Sequence, residues 1–201
     1  MIWPDDDDDD KVDLPVLLTA ILRHINPREI EKGFTSQAKS KNAENSKTGK
    51  RVPSEAVYAD QLHIIIRQAL LKISPDWEYD FEAKGEALGA SDHKLDILLT
   101  RPALGTAPEL RVGIELTASV QKSSLDKRAN RNYAERLNLD QFIILNFTPN
   151  KHKFTYFCDG NDKNGKSGKI PVFNVWHNET YTDVTLFYQD EHDKLVEIKV
   201  I

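Results

Sequence analysis

The chain has 201 residues, a formal net charge of −5 and a single cysteine, Cys158. That excludes an internal disulfide and a cysteine-rich zinc site. No apolar run is long enough to span a bilayer and no signal-peptide pattern is present, so the expectation is a soluble intracellular chain with no membrane partner. The net charge alone argues against nucleic acid. However, six of the 32 acids form one run, Asp5–Asp10, and the remaining 26 face 27 Lys and Arg. The body is near neutral, so local patches decide which partners fit.

Asp5–Asp10 reads as a disordered acidic leader. Asp13–Asn26 follows helical spacing through Leu14, Leu17, Leu18, Ile21, Leu22 and Ile25. Asp13 suits the cap and Pro15 the first turn, and Pro27 ends the run. Arg28–Arg51 is polar and basic and reads as a linker that adds little to any core. Residues 1–52 therefore form a leader, a helix and a basic linker ahead of a domain over 53–201.

Ser54–Ile73 predicts a helix, opened by Pro53-Ser54 and closed by Ser74-Pro75. Its apolar stripe is Tyr58, Leu62, Ile65, Ile66, Ala69 and Ile73. Glu55 lies on the same line one turn earlier. That suits an acid at a positive helix end, and equally an acid turned toward the body of the domain. Trp77–Ala83 predicts a strand and Lys84–Lys94 a polar loop. Two apolar runs follow, Leu95–Thr100 and Leu110–Leu116, each with one acid inside it. Ser123 or Ser124 then opens a helix to about Asn138. It carries Leu125, Ala129, Tyr133 and Leu137 on its apolar line and Lys122, Arg128, Arg131 and Arg136 beside it. Phe142–Phe147 is a continuous apolar run, the pattern of a strand covered on both faces. Strand–helix–strand from Leu110 to Phe147 makes a βαβ unit with parallel strands. Phe154–Cys158, Ile170–Trp176, Val184–Tyr188 and Leu195–Ile201 are further strands. The loop Asp159–Lys169 lacks Walker spacing, and His152, His177 and His192 lack metal-site spacing.

The two acid-bearing runs carry the chemistry. Side chains alternate along a strand, so Leu95, Ile97 and Leu99 take one face and Asp96 and Leu98 the other. Likewise Val112, Ile114 and Leu116 oppose Glu115 and Gly113. Antiparallel pairing around the Pro102–Pro108 loop sets Asp96 beside Glu115, Leu98 beside Gly113 and Thr100 beside Arg111. Both apolar faces then coincide, which is what selects a register. Two adjacent carboxylates repel. A divalent cation between them removes the repulsion, with Gly113 leaving space beside the pair. The residues equally allow two unrelated acids, one paired with Lys94 and the other with Arg111.

The order helix, strand, strand with Asp, strand with Glu, helix, strand resembles the core of the PD-(D/E)XK, or restriction-endonuclease-like, superfamily. A closer resemblance lies in the details. Pro53-Ser54-Glu55-Ala56-Val57-Tyr58 and then Gln61 look like the helix opening of the nuclease-like C-terminal domains of Crinkler-type and transposon-borne proteins. Their second-strand motif ending in Asp is matched by Lys94-Leu95-Asp96-Ile97. Their aromatic-Gly-Ile-Glu-Leu motif is matched by Val112-Gly113-Ile114-Glu115-Leu116. Their Leu-x-x-His-x-x-Arg helix is matched by Leu125, Arg128 and Arg131, with Tyr133 near a family tyrosine.

The resemblance implies an α/β fold, a restriction-endonuclease-like mixed sheet flanked by helices, with extra C-terminal strands. It implies Mg²⁺ or Mn²⁺ held by Asp96, Glu115 and the Leu116 carbonyl, with Glu55 as the helix acid that orients the site. Lys122, Arg128 and Arg131 would meet the phosphates of DNA, or, as a second choice, RNA. It also implies a nuclear location in a host cell. Three positions depart from the pattern. Thr117 stands where the superfamily has lysine, Ala118 where the Crinkler-type pattern has arginine, and Arg128 where it has histidine. These departures support the alternative of a catalytically silent nuclease-like fold that binds nucleic acid or a host protein.

Overall fold

The computed structural model describes residues 11–35, 53–73, 76–83, 94–105, 107–118, 122–148 and 154–201. The acidic leader Asp5–Asp10, most of the basic stretch and His152 lie outside them. Helix α1 is Leu14–Leu22, and the Asp13 side chain caps it by accepting the Val16 N–H at 3.0 Å. Helix α2, Pro27–Thr35, occupies the start of the stretch expected to be linker. α1 stops at Leu22, ahead of the expected end at Asn26, and Pro27 is instead the first residue of the next helix, where its missing N–H costs nothing. Asn26 before it takes the Arg28 N–H on its side chain at 3.1 Å, an ordinary opening for a helix. Ile30 is completely buried. Gly33 faces Pro53 so closely that a Cβ would come within 2.9 Å of the proline ring, which lets α2 close on the start of the following helix.

That helix, α3, is Glu55–Ile73. Then come β1 (Glu78–Ala83), β2 (Leu95–Arg101), β3 (Leu110–Thr117), α4 (Lys122–Ala129), α5 (Tyr133–Arg136) and β4 (Gln141–Thr148). The C-terminal strands are β5 (Phe157–Asn161), β6 (Ser167–His177), β7 (Val184–Gln189) and β8 (Leu195–Lys199). One mixed sheet runs β1-β2-β3-β4-β6-β7-β8, and β5 pairs only with β6. The β1-β2 and β2-β3 pairs are antiparallel, β3-β4 and β4-β6 parallel, and β6-β7 and β7-β8 antiparallel. The stretch read as a loop over Asp159–Lys169 is mostly a hairpin. Its turn is held by the Asp162 carboxylate, which accepts the Asn164 and Lys166 N–H groups.

Two apolar clusters fill the two faces. On one, Ile97, Leu99, Val112, Ile114, Leu116 and Phe147 pack under α1, α2 and α3. On the other, Leu98, Phe142, Ile144 and Val172 pack under α4 and α5. The N-terminal segment belongs to the first face. Gln141 at the head of β4 grips Val12 through both its N–H and its carbonyl, at 2.8 and 3.0 Å. Arg23 donates to the Val200 carbonyl at 3.2 Å.

Ile30→Ala should cost about 2–5 kcal/mol, the range for truncating a buried aliphatic side chain. Urea unfolding of the variant checks this; an unchanged midpoint would mean that α2 is a loosely held appendage.

Candidate active site

Glu55 opens α3, and α3 is pinned one turn later. Tyr58 stacks on Phe147 with ring centroids 4.0 Å apart and 10° between planes. Its hydroxyl donates to His177 Nε2 at 2.8 Å, while His177 Nδ1–H donates to the Asn178 carbonyl at 2.8 Å. Burial pushes the His177 pKa down to about 4, so the ring stays neutral and keeps Nε2 as an acceptor. This imidazole is a structural clamp that fixes the helix end from which Glu55 projects.

The expected β2-β3 register is the one observed: Leu98 lies opposite Gly113 and Thr100 opposite Arg111. The ladder ends at Ile97 and Ile114, and there the Asp96 side chain takes over, its Oδ2 accepting the Leu116 N–H at 2.7 Å. Glu115 is next along β3, in register with Ile144 of β4, and is completely buried. The alternative pairings do not form. The Lys94 ammonium bonds Glu82, and Arg111 turns to Glu109 at 3.9 Å. Glu82 itself sits at φ +55°, a kink in the edge strand beside the site.

Two arginines close on the acids. Arg128 Nη1 donates to Glu115 Oε1 at 2.5 Å and Nη2 to Glu55 Oε2 at 2.6 Å. Arg131 Nη1 donates to the same Glu115 oxygen at 2.9 Å and to the Tyr133 hydroxyl at 3.2 Å. Tyr133 in turn donates to the Lys94 carbonyl at 2.6 Å, tying α5 to the chain just before Asp96. The single helix expected to about Asn138 is in fact two. α4 stops at Ala129, and Asn132, at φ +55°, redirects the chain before α5. Asparagine tolerates that left-handed backbone better than most residues. The arginines therefore do not share a helix face through their three-residue spacing; the break brings them onto one oxygen. The resemblance set Tyr133 near a family tyrosine without giving it a role, and the spacing put it on the apolar line of the expected helix; its hydroxyl joins Arg131 to the Lys94 carbonyl.

Other expected site residues sit differently. Lys122 is exposed and pairs with Asp126 at 2.7 Å, one turn along its own helix. Thr117 is buried at the end of β3, in register with Asn146. The space beside Gly113 is not open. A Cβ there would come within 2.4 Å of Leu139 Cδ1 and 3.0 Å of Leu95 Cδ2. Leu95 thus fills the α4–α5 side instead of joining Ile97 and Leu99. The missing side chain makes room for aliphatic packing, not for an ion.

Glu55, Asp96 and Glu115 bring three acids against two guanidinium groups. Among the described residues Glu115 Oε2 is buried with no hydrogen-bond partner. Burial, and then the Asp96 charge, push the Glu115 pKa up to about 8, although Arg128 and Arg131 pull it down. Asp96 is raised too, by burial first and the Glu55 charge further, against the Leu116 N–H. Arg128 is raised: burial opposes its charge, but Glu115 and Glu55 outweigh that. A buried, unpartnered carboxylate oxygen calls for a proton or a cation. Two carboxylates with that open oxygen fit a hard divalent ion. Among the described residues no group of three or more His, Cys, Asp and Glu side chains is placed to hold a metal.

No protein-family model matches the chain, and no curated protein matches it. Among the described residues no helix is long and apolar enough to cross a membrane. Fold and site together define a mixed α/β sheet with a buried acid–arginine cluster at the end of its β2 and β3 strands.

The raised Glu115 pKa has a definite sign. Between its ordinary value of 4.5 and about 8, the folded protein holds a proton that the unfolded chain has released. Stability of the metal-free protein should therefore fall as pH rises through that window. Glu115→Gln should flatten the fall. Urea midpoints measured across the window for both proteins check it, and parallel slopes would refute it.

Proposed function

We propose that this protein is a metal-dependent nuclease with a restriction-endonuclease-like core, hydrolysing phosphodiester bonds in DNA. The observation that carries the reading is the buried Glu115 carboxylate, one oxygen without a partner among the described residues, beside the charge of Asp96 and flanked by two arginines. The order of α3, the three strands, α4 and β4 supports it, as does the position of Glu55 at the arginine cluster.

Asp96 and Glu115 would hold Mg²⁺ or Mn²⁺, with the Leu116 carbonyl as a further ligand by resemblance. The ion would supply a bound water of lowered pKa and stabilise charge on the phosphate. The chain's own residues do the rest. Asp96 is held in place by the Leu116 N–H. Tyr133 steadies Arg131, and Glu55 steadies Arg128. The Arg128 guanidinium can turn to a phosphate and donate a charge-assisted hydrogen bond to it while Glu55 holds its other end. Thr117 has a neutral hydroxyl where an ammonium is usual, and the two arginines already at the acids take over as the basic groups.

A second reading, a catalytically silent fold that binds nucleic acid, is favoured by one observation. The lysines near the site are engaged elsewhere, Lys94 by Glu82 and Lys122 by Asp126.

Plasmid cleavage with Mg²⁺ or Mn²⁺, with and without chelator, tests the proposal. Asp96→Ala and Glu115→Ala should stay folded and cut at least about a hundredfold more slowly, because loss even of a ligand's supporting partner commonly costs 10–100-fold. Thr117→Lys should change the rate little, since arginines stand at the acids. Cleavage that survives both chelator and Asp96→Ala would sink the mechanism. No cleavage by any variant, with DNA binding that weakens steeply as salt rises, would establish the silent reading.

A further inference from the structure

We propose that Arg128 is an internal cation competing with the metal for Glu115, and that it couples metal binding to phosphodiester binding by moving from Glu115 to the phosphate. The inference rests on Asp96 and Glu115 being the metal pair.

The first argument is occupancy. Arg128 and Arg131 both donate to Glu115 Oε1, at 2.5 and 2.9 Å, which uses the two lone pairs of that oxygen. Any cation bound through Glu115 meets two guanidinium groups on the same carboxylate. The second argument is charge. With every group ionised, Glu55, Asp96 and Glu115 against Arg128 and Arg131 leave one net negative charge. A divalent cation alone turns that into one net positive charge, and a phosphodiester alone into two negative charges. Both ligands together bring the cluster to neutrality. In a site where Glu115 is fully buried, such imbalances are weakly screened. Each ligand therefore improves the site for the other, and by linkage the improvement is reciprocal.

The third argument identifies which arginine moves. Arg131 is tied to the Tyr133 hydroxyl, itself tied to the Lys94 carbonyl. Arg128 is held by the two acids, and one of them, Glu55, is at the rim with its side chain 34% exposed, whereas Glu115 is at 0%. Arg128 can keep Nη2 on Glu55 and release Nη1 from Glu115, pivoting toward the surface. Glu55 is then a positioning residue that retains the guanidinium while Glu115 is given up.

The test uses Mn²⁺ calorimetry and a fluorescent DNA duplex with phosphorothioate linkages that resist cleavage. Both are run in one buffer on wild type, Arg128→Ala and Arg128→Gln. Glutamine keeps a neutral donor to Glu115 and carries the test should the alanine variant not fold. Wild type should bind Mn²⁺ roughly tenfold more tightly with duplex present, and duplex more tightly with Mn²⁺, by the same factor. The Arg128 variants should bind Mn²⁺ alone roughly tenfold more tightly than wild type and show little coupling. Equal or weaker Mn²⁺ affinity in the folded variant, or coupling that survives, would overturn the role of Arg128 and leave the metal pair standing. Absence of Mn²⁺ binding in wild type, or binding indifferent to Asp96→Ala, would overturn the metal reading and this inference with it.

Discussion

A carboxylate placed where water cannot reach it is the constraint on which the site depends. Glu115 stands within β3, flanked by β2 and β4, and is fully buried. Burying that charge among aliphatic strands is unfavourable unless other groups answer it. The surrounding architecture supplies the answer. The chain breaks between α4 and α5 so that two arginines reach one oxygen, and α3 begins where its first residue can take the far side of Arg128. Tyr133 links the α5 side back to the strand that carries Asp96.

The two faces of the sheet contribute differently. The face under α1, α2 and α3 is the larger apolar cluster and fixes α3 through Tyr58, Phe147 and His177. The smaller face under α4 and α5 carries Gly113, against which Leu95 and Leu139 pack. Rigid packing on both sides is what allows charged side chains between them to be held at hydrogen-bonding distances. The acid–arginine cluster is thus rooted at the fully buried Glu115, where low polarity strengthens its charge interactions, and opens to the rim at Glu55.

Much of the core was legible because strand periodicity is strict. The alternation in 95–100 and 110–116 was enough to obtain the β2-β3 register, and the apolar run at 142–147 marked β4 as central and parallel to β3. What escaped depended on features without a periodic signature. Pro27 looked like an ending because the apolar helical spacing runs up to Ile25, but α1 stops at Leu22 and Asn26-Pro27 is a helix opening. The break at Asn132 is a single left-handed residue in a stretch whose apolar spacing continues through it, so spacing alone joined α4 to α5. Gly113 was taken as space for an ion, because the sequence does not say that Leu139, from beyond α5, fills it. Glu55 and Arg128, 73 residues apart, could be set near one another only through a resemblance; no local pattern pairs them.

The attachment of α1 has a consequence for synthesis. Besides α3, its partners come much later in the chain: Gln141 holds Val12, the Tyr181 hydroxyl donates to the Leu22 carbonyl, and Arg23 reaches the Val200 carbonyl. A ribosome releases α1 well before Gln141, Tyr181 and Val200. Until α3 and the later strands follow, the apolar face of Leu14, Leu17, Leu18, Ile21 and Leu22 lacks its full cover. During that interval it is an exposed, helix-forming, sticky segment, the kind of surface that chaperones hold. Locking of α1 is therefore a late event that waits for Gln141, Tyr181 and Val200, and a helix made early is among the last to be secured.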